Sequence, residues 1–243
     1  GFMQLRRVLI PVVLFASPLF LPADLLWNRA VDAYPRSLQW VPATIEVLTE
    51  QYNGGGDLRS RARVVSERRV STDGEVSYEV VESEQMVGRG DPESGFPGFP
   101  GDDEATEDDP ERFAAVGASP FDPELQEQVS YRRTGNRRSF RGETAVAFSF
   151  QLELEGDARA HGTAWLDLDS GLPLRVERTV EPPIAVIRSF EVEESYRPQD
   201  DHWRLNSFSV DVVGRVLFVE RRVLMNMAFR DHVFDPEGFN RQR

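Results

Sequence analysis

From residue 129 onward, apolar and polar positions alternate with a period near two, interrupted only by short turn-forming stretches. That period predicts strands with one buried face. We read strands over residues 129–134, 143–155, 158–169, 172–181, 184–196, 202–213 and 215–231. Val146, Phe148, Phe150, Leu152 and Leu154 share one face of their strand, and Ala160, Ala164, Leu166 and Leu168 share one face of the next. Leu172, Leu174, Val176 and Val180 continue the series, followed by Ile184, Val186, Phe190, Val192 and Tyr196. Met225, Met227 and Phe229 line the last strand. The turns between them are Gly156-Asp157, Ser170-Gly171, Pro182-Pro183, residues 198–201 and one near Gly214. Turns this short join neighbours, so the strands form an antiparallel meander.

The pattern before residue 129 is different. Asp24 is placed to cap a helix beginning at Leu25, with an irregular apolar face of Leu25, Leu26, Ala30, Val31 and Ala33 that Pro35 interrupts. Ile45, Leu48 and Tyr52 recur at helical spacing and predict a second helix over residues 42–52, ended by Asn53 and Gly54-Gly55-Gly56. Strands over 62–70 and 75–83 are joined by Ser71-Thr72-Asp73-Gly74, a hairpin signal. Their charged residues, Arg63, Glu67, Arg68 and Arg69, turn one side to solvent. Asp122 and Pro123 open a short helix over 123–128. A long twisted sheet with one apolar face must curl or be covered, and these helices are the available cover. The predicted fold is α+β: a strongly curved antiparallel β-meander, an open half-barrel whose concave face is covered by N-terminal helices. One domain is expected over residues 24–234, with a loose tail over 235–243.

Charge changes this picture at one segment. Residues 88–112 carry nine acids (Asp91, Glu93, Asp102, Asp103, Glu104, Glu107, Asp108, Asp109 and Glu111) against Arg89 and Arg112, so −7 of the chain's net charge of −13 lies here. Such a composition cannot offset its ordering entropy by burial, and a mobile acidic insert is expected. Its carboxylates lack the Gly spacing of a calcium-binding loop. Phe96 and Phe99 are its apolar members, suited either to local packing or to tucking into a groove.

The net charge of −13 argues against a nucleic-acid binder, which needs a basic surface. The absence of cysteine excludes disulfides, thiolate metal sites, a cysteine nucleophile and a lipidated cysteine. Arg6 and Arg7, an apolar run over 8–21 broken by Pro11 and Pro18, and then Pro22-Ala23 have the layout of a cleaved export signal over residues 3–23. An uncleaved anchor is the competing reading.

Chemistry is sparse. His161, His202 and His232 fall in different predicted strands or strand ends, without HxH or HExxH spacing, so no metal site is expected. Asp167 and Asp169 are explained by their turn. Neither a phosphate-binding glycine loop nor a nucleophile elbow occurs, and no triad can be assembled. The expectation is a non-enzymatic protein without cofactor.

The stretch 163–177 carries a resemblance. Ala164-Trp165-Leu166-Asp167, continued by Ser170-Gly171-Leu172-Pro173-Leu174-Arg175-Val176-Glu177, resembles the hairpin of the bacterial LolA/LolB-like superfamily, the periplasmic lipoprotein carriers, whose relatives include the RseB/MucB-type sensors. An export signal, a helix and then strands match the order of such domains. The Asp201-to-Trp203 turn, Val213-Gly214-Arg215 and Phe229-Arg230-Asp231 match their later hairpins. The resemblance implies a periplasmic monomer that binds a lipid or the acyl chains of a lipoprotein, or a sensor that docks an envelope protein.

The residue pattern supplies candidates for such a site. A half-closed barrel keeps a concave apolar surface, and Phe148, Phe150, Leu166, Leu174, Phe190, Met225 and Met227 are the candidate groove lining. The alternative is that the helices fill the barrel and these residues are core. Arg178 and Arg188 interrupt the apolar faces of their strands. With Pro182-Pro183 as the turn they should stand nearly opposite, either as cations at the groove rim or paired with Glu residues of the helices.

Overall fold

Among the described residues ten strands hydrogen-bond side by side into one antiparallel sheet that curves without closing. The computed structural model describes residues 25–87, 117–154, 159–181, 187–216 and 219–236. The expectations for the export signal, the Asp24 cap, the 88–112 insert, the 156–157 and 182–183 turns, Ile184, Val186 and the tail beyond 236 lie outside the described residues. The elements in chain order are α1 (Leu25–Ser37), β1 (Trp40–Val41), β2 (Thr44–Asn53), β3 (Leu58–Val70), β4 (Val76–Val87), β5 (Val129–Phe140), β6 (Glu143–Glu153), β7 (Arg159–Asp167), β8 (Pro173–Glu181), β9 (Ile187–Gln199), β10 (His202–Val216), β11 (Val219–Arg230) and β12 (Val233–Phe234). A 3-10 helix, Pro123–Leu125, precedes β5, and the Asp122 side chain caps it by accepting from the Glu124 N–H at 2.9 Å.

The sheet order is β4-β3-β2-β11-β10-β9-β8-β7-β6-β5. Strands β5 to β11 are the meander read from the alternation. The N-terminal strands β2 to β4 extend it from the far side, because β2 pairs along its whole length with β11. This corrects the second helix expected over 42–52: that stretch is β2. Thr44, Ile45, Val47 and Thr49 are β-branched and lose side-chain freedom in a helix. Pairing to β3 on one side and β11 on the other decides the matter over the helical spacing of Ile45, Leu48 and Tyr52. Two smaller corrections follow from the same non-local pairing. Gly214 lies inside β10, opposite Arg221 and Ile187, rather than at a turn. Strand β5 runs past Thr134 to Phe140 through a bulge between Arg133 and Arg137.

One helix therefore does the covering among the described residues. Trp27, Ala30 and Ala33 recur on one face of α1 and are buried. Pro35 does not break the helix, which continues to Ser37. There the Ser37 hydroxyl donates to the Ala33 carbonyl (2.9 Å) and accepts from the Trp203 N–H (3.0 Å), pinning the helix end to β10. Trp27 is the centre of the core. Its ring stacks on Tyr131 at 4.3 Å and meets Phe121, Phe148 and Phe150 at 5.0, 5.8 and 6.4 Å, while its Nε1 donates to Gln126 at 3.1 Å.

The β7–β8 hairpin seats on this helix. The Asp167 carboxylate accepts from both the backbone N–H and the hydroxyl of Ser170, each at 2.7 Å. Gly171 takes φ of +79°, where a side chain would approach the Leu26 carbonyl at 3.0 Å. Arg29 reaches across to the Asp169 carbonyl at 3.0 Å. Farther along, Gly162 stands opposite Arg178, and a Cβ there would lie 1.9 Å from the Glu177 carbonyl oxygen. Gly162→Ala is expected to cost about 1–3 kcal/mol because backbone, not a flexible side chain, must yield. A thermal midpoint equal to the wild type would refute this.

Candidate ligand-binding face

Cross-strand register shows which side chains share the concave face. One row runs Phe148, Ala164, Val176, Glu194, Phe208, Met227, Val47 and Val64; the next runs Phe150, Gly162, Arg178, Val192, Val210, Met225, Thr49 and Ala62. Both rows are apolar except at Glu194, Arg178 and Thr49. The outer face is ionic by contrast. Arg63 and Arg230 both hold Glu46 at 2.6 Å, Arg175 bridges Glu177 and Glu193, and Arg222 pairs with Asp211. The hydrogen bond from Arg63, ahead of the charge of the two arginines, pulls the Glu46 carboxyl below its ordinary range.

The concave face divides into two parts. At the β6–β8 end, Phe148, Phe150 and Leu166 are buried in the cluster around Trp27, and Leu174 is buried nearby. At the β9–β11 and β2–β3 end, Phe190, Met225, Met227, Val47 and Val64 are only half-buried, between buried Val192, Val210, Val212 and Val223. The lining candidates thus fall into two groups, a packed interior and an incompletely covered apolar strip beside it.

The seam between the two holds the buried charges. Arg178 has no accessible side-chain surface; it donates to Glu194 at 2.9 Å and to the Ala118 carbonyl at 2.7 Å. The Tyr196 hydroxyl donates to the other oxygen of Glu194 at 2.5 Å. Burial foremost, and then the Glu194 charge, push the Tyr196 phenol well above its usual value, so it stays a donor. Arg178 is therefore placed inside the protein and not at a rim. Among the described residues its carboxylate partner, Glu194, comes from the neighbouring strand and not from a helix. The expected juxtaposition of Arg178 with Arg188 does not occur: Arg178 stands opposite Val192, four positions beyond Arg188. Arg188 is exposed at the start of β9, 4.0 Å from Glu220.

The histidines are dispersed. His161 is exposed near Glu181, His202 is buried in a stack on Trp40, and His232 is half-buried with its pKa lowered chiefly by burial. Among the described residues no three His, Asp or Glu side chains gather as a metal cluster. No described helix is long and apolar enough to cross a membrane.

Two features escaped the sequence reading. Trp27 follows from the 27, 30, 33 spacing and could have been found. The Arg178–Glu194 pair is diagonal across two strands and needs the register to be seen.

No protein-family model and no curated protein matches the chain. Among solved structures it is similar to a DUF1329 family protein from Desulfovibrio piger, with 12% identity, 88% of this chain and 93% of that chain covered, and a TM-score of 0.36. It is similar to a LolA superfamily protein from Nitrosomonas europaea, with 10% identity, 86% and 94% covered, and a TM-score of 0.28. It is also similar to a chain of the Pseudomonas aeruginosa MucA/MucB complex, with 12% identity, 84% and 93% covered, and a TM-score of 0.22.

Proposed function

We propose that the protein is a non-enzymatic periplasmic carrier that holds an acyl chain, of a lipid or a lipoprotein, along the concave strip formed by β9 to β11, β2 and β3. The half-buried apolar strip carries this reading: Phe190, Met225 and Met227 stay partly accessible beside the packed core, although Val192, Val210, Val212 and Val223 among them are buried. Each methylene taken from water contributes about 0.8 kcal/mol, so a stretch of about ten offers about 8 kcal/mol. Methionine suits a surface that must fit cargo of varied shape. Phe148, Phe150, Leu166 and Leu174 form the wall on which the strip rests. Arg188 is the cation available to a head group, because Arg178 is committed to Glu194.

Native mass spectrometry of protein purified from a bacterial envelope is expected to show a co-purifying acyl mass. Met227→Glu should weaken a fluorescent fatty-acid probe about tenfold or more. A clean apo mass, together with unchanged probe binding by that variant, would end the carrier reading.

A second reading, a sensor that docks an envelope protein, rests on β4. Among the described residues this strand is an edge of the sheet, with Val80 57% and Val81 46% exposed. Such an edge offers both backbone groups and apolar side chains to an added strand. Cross-linking from Val80 to a partner protein in an acyl-free preparation would favour it.

A further inference from the structure

On the outer face, where β9 turns into β10, two arginines stand directly opposite each other. Arg197 pairs in register with Arg204. Like charges in this position repel, and neither guanidinium has a carboxylate partner among the described residues. Arg63, Arg175 and Arg222 on the same face are each held by a carboxylate, as these two are not.

The surroundings are built to hold Arg204 in place. Its guanidinium lies over the Trp40 ring at 3.9 Å, and Trp40 in turn stacks on His202 at 5.0 Å with the rings nearly parallel. Trp40 is fixed by the β1–β12 pair, where it faces Phe234. Arg204 Nε, His202 Nε2 and His232 Nε2 are buried without a hydrogen-bond partner, and the His202 residue is 7% exposed. Arg197, Arg204 and His232 line one cavity of about 770 Å³. Asp231 is the acid on its wall, and the Thr44 hydroxyl lies 3.5 Å from it. Burial leads in lowering the His232 pKa, and the Arg204 and Arg197 charges add to it, against the Leu205 backbone and Asp231.

We propose that this cavity binds a phosphate group, with Arg197 and Arg204 as the paired donors and His232 as the third wall. An anionic phosphate between the two guanidiniums turns their repulsion into two charge-assisted forks. The cavity is far larger than a phosphate, which leaves room for the molecule that carries it. The same chemistry is presented by free phosphate and by a phospholipid head group. The site lies on the face opposite the acyl strip and stands or falls independently of it.

Inorganic phosphate, titrated against chloride at matched ionic strength, should raise the melting temperature and shift the His232 ring resonances saturably. Vesicles of phosphatidylcholine with and without phosphatidylglycerol test the head-group source by flotation. Arg197→Gln should weaken the response about tenfold while Arg69→Gln leaves it unchanged. Arg204→Gln should abolish it, and Arg197→Gln, at an exposed position, decides the matter if that variant does not fold. Saturable binding of free phosphate assigns a small-anion site, and binding only to phosphatidylglycerol vesicles assigns a head-group site. No saturable response to either source, or one that Arg197→Gln does not weaken, overturns the proposal.

Discussion

Trp27→Ala is expected to lower the free energy of unfolding by about 3–5 kcal/mol, a large share of the about 5–15 kcal/mol that holds an ordinary domain together. Trp27 is fully buried and is the one side chain of α1 that touches Tyr131, Phe121, Phe148 and Phe150 together. Its removal leaves a void between the helix and strands β5 and β6, and it strands the Gln126 side chain that its Nε1 satisfies. Ala30 and Ala33 are too small to close that void. Urea denaturation followed by far-ultraviolet circular dichroism measures the loss. A decrease below about 1 kcal/mol would mean that α1 is not the element that closes this part of the barrel.

The second large effect concerns Arg178. Arg178→Met is expected to cost about 3–5 kcal/mol, because it leaves the Glu194 carboxylate buried with only Tyr196 to hold it. The double variant Arg178→Met/Glu194→Met should recover most of that loss. Replacing both charges removes the desolvation penalty, and Val176, Val192 and Val210 around the pair can accept apolar neighbours. A double-mutant cycle in urea measures this directly. A double variant as unstable as the single one would show that the ion pair is not what the fold needs from Arg178.

What could be read from the sequence follows the range of the interactions involved. Strands β5 to β11 were legible because each buries one face and hands on to its neighbour through a short turn. The Asp167–Gly171 turn was legible because its chemistry is contained in five consecutive residues. Residues 42–52 were misread because their helical spacing is a local signal, whereas the strand they form is imposed by β11, near the other end of the chain. The same holds for the site. Alternation alone identified Phe148, Phe150, Leu166, Leu174, Phe190, Met225 and Met227 as one-faced, but only the position of α1 separates the packed members from the half-buried ones. Arg178 stood out as a charge on an apolar face. Its partner could not be named, because a miscounted turn shifts every cross-strand neighbour. Arg197 and Arg204 drew no notice, since two arginines near a turn look ordinary until the register sets them face to face.

The place of β11 has a consequence for how the molecule comes into being. It lies between β10, made just before it, and β2, made among the first, so Arg230 meets Thr44. Until those last residues are synthesised, β2 to β4 can form only a three-stranded fragment, detached from the growing meander. Closing so long a loop of chain is slow, and the concave strip does not exist before it happens. A ribosome-bound chain ending before residue 219 should remain protease-sensitive in its first strands, and one released after residue 234 should become resistant in a single step. The concave strip thus forms only once β11 has joined β2.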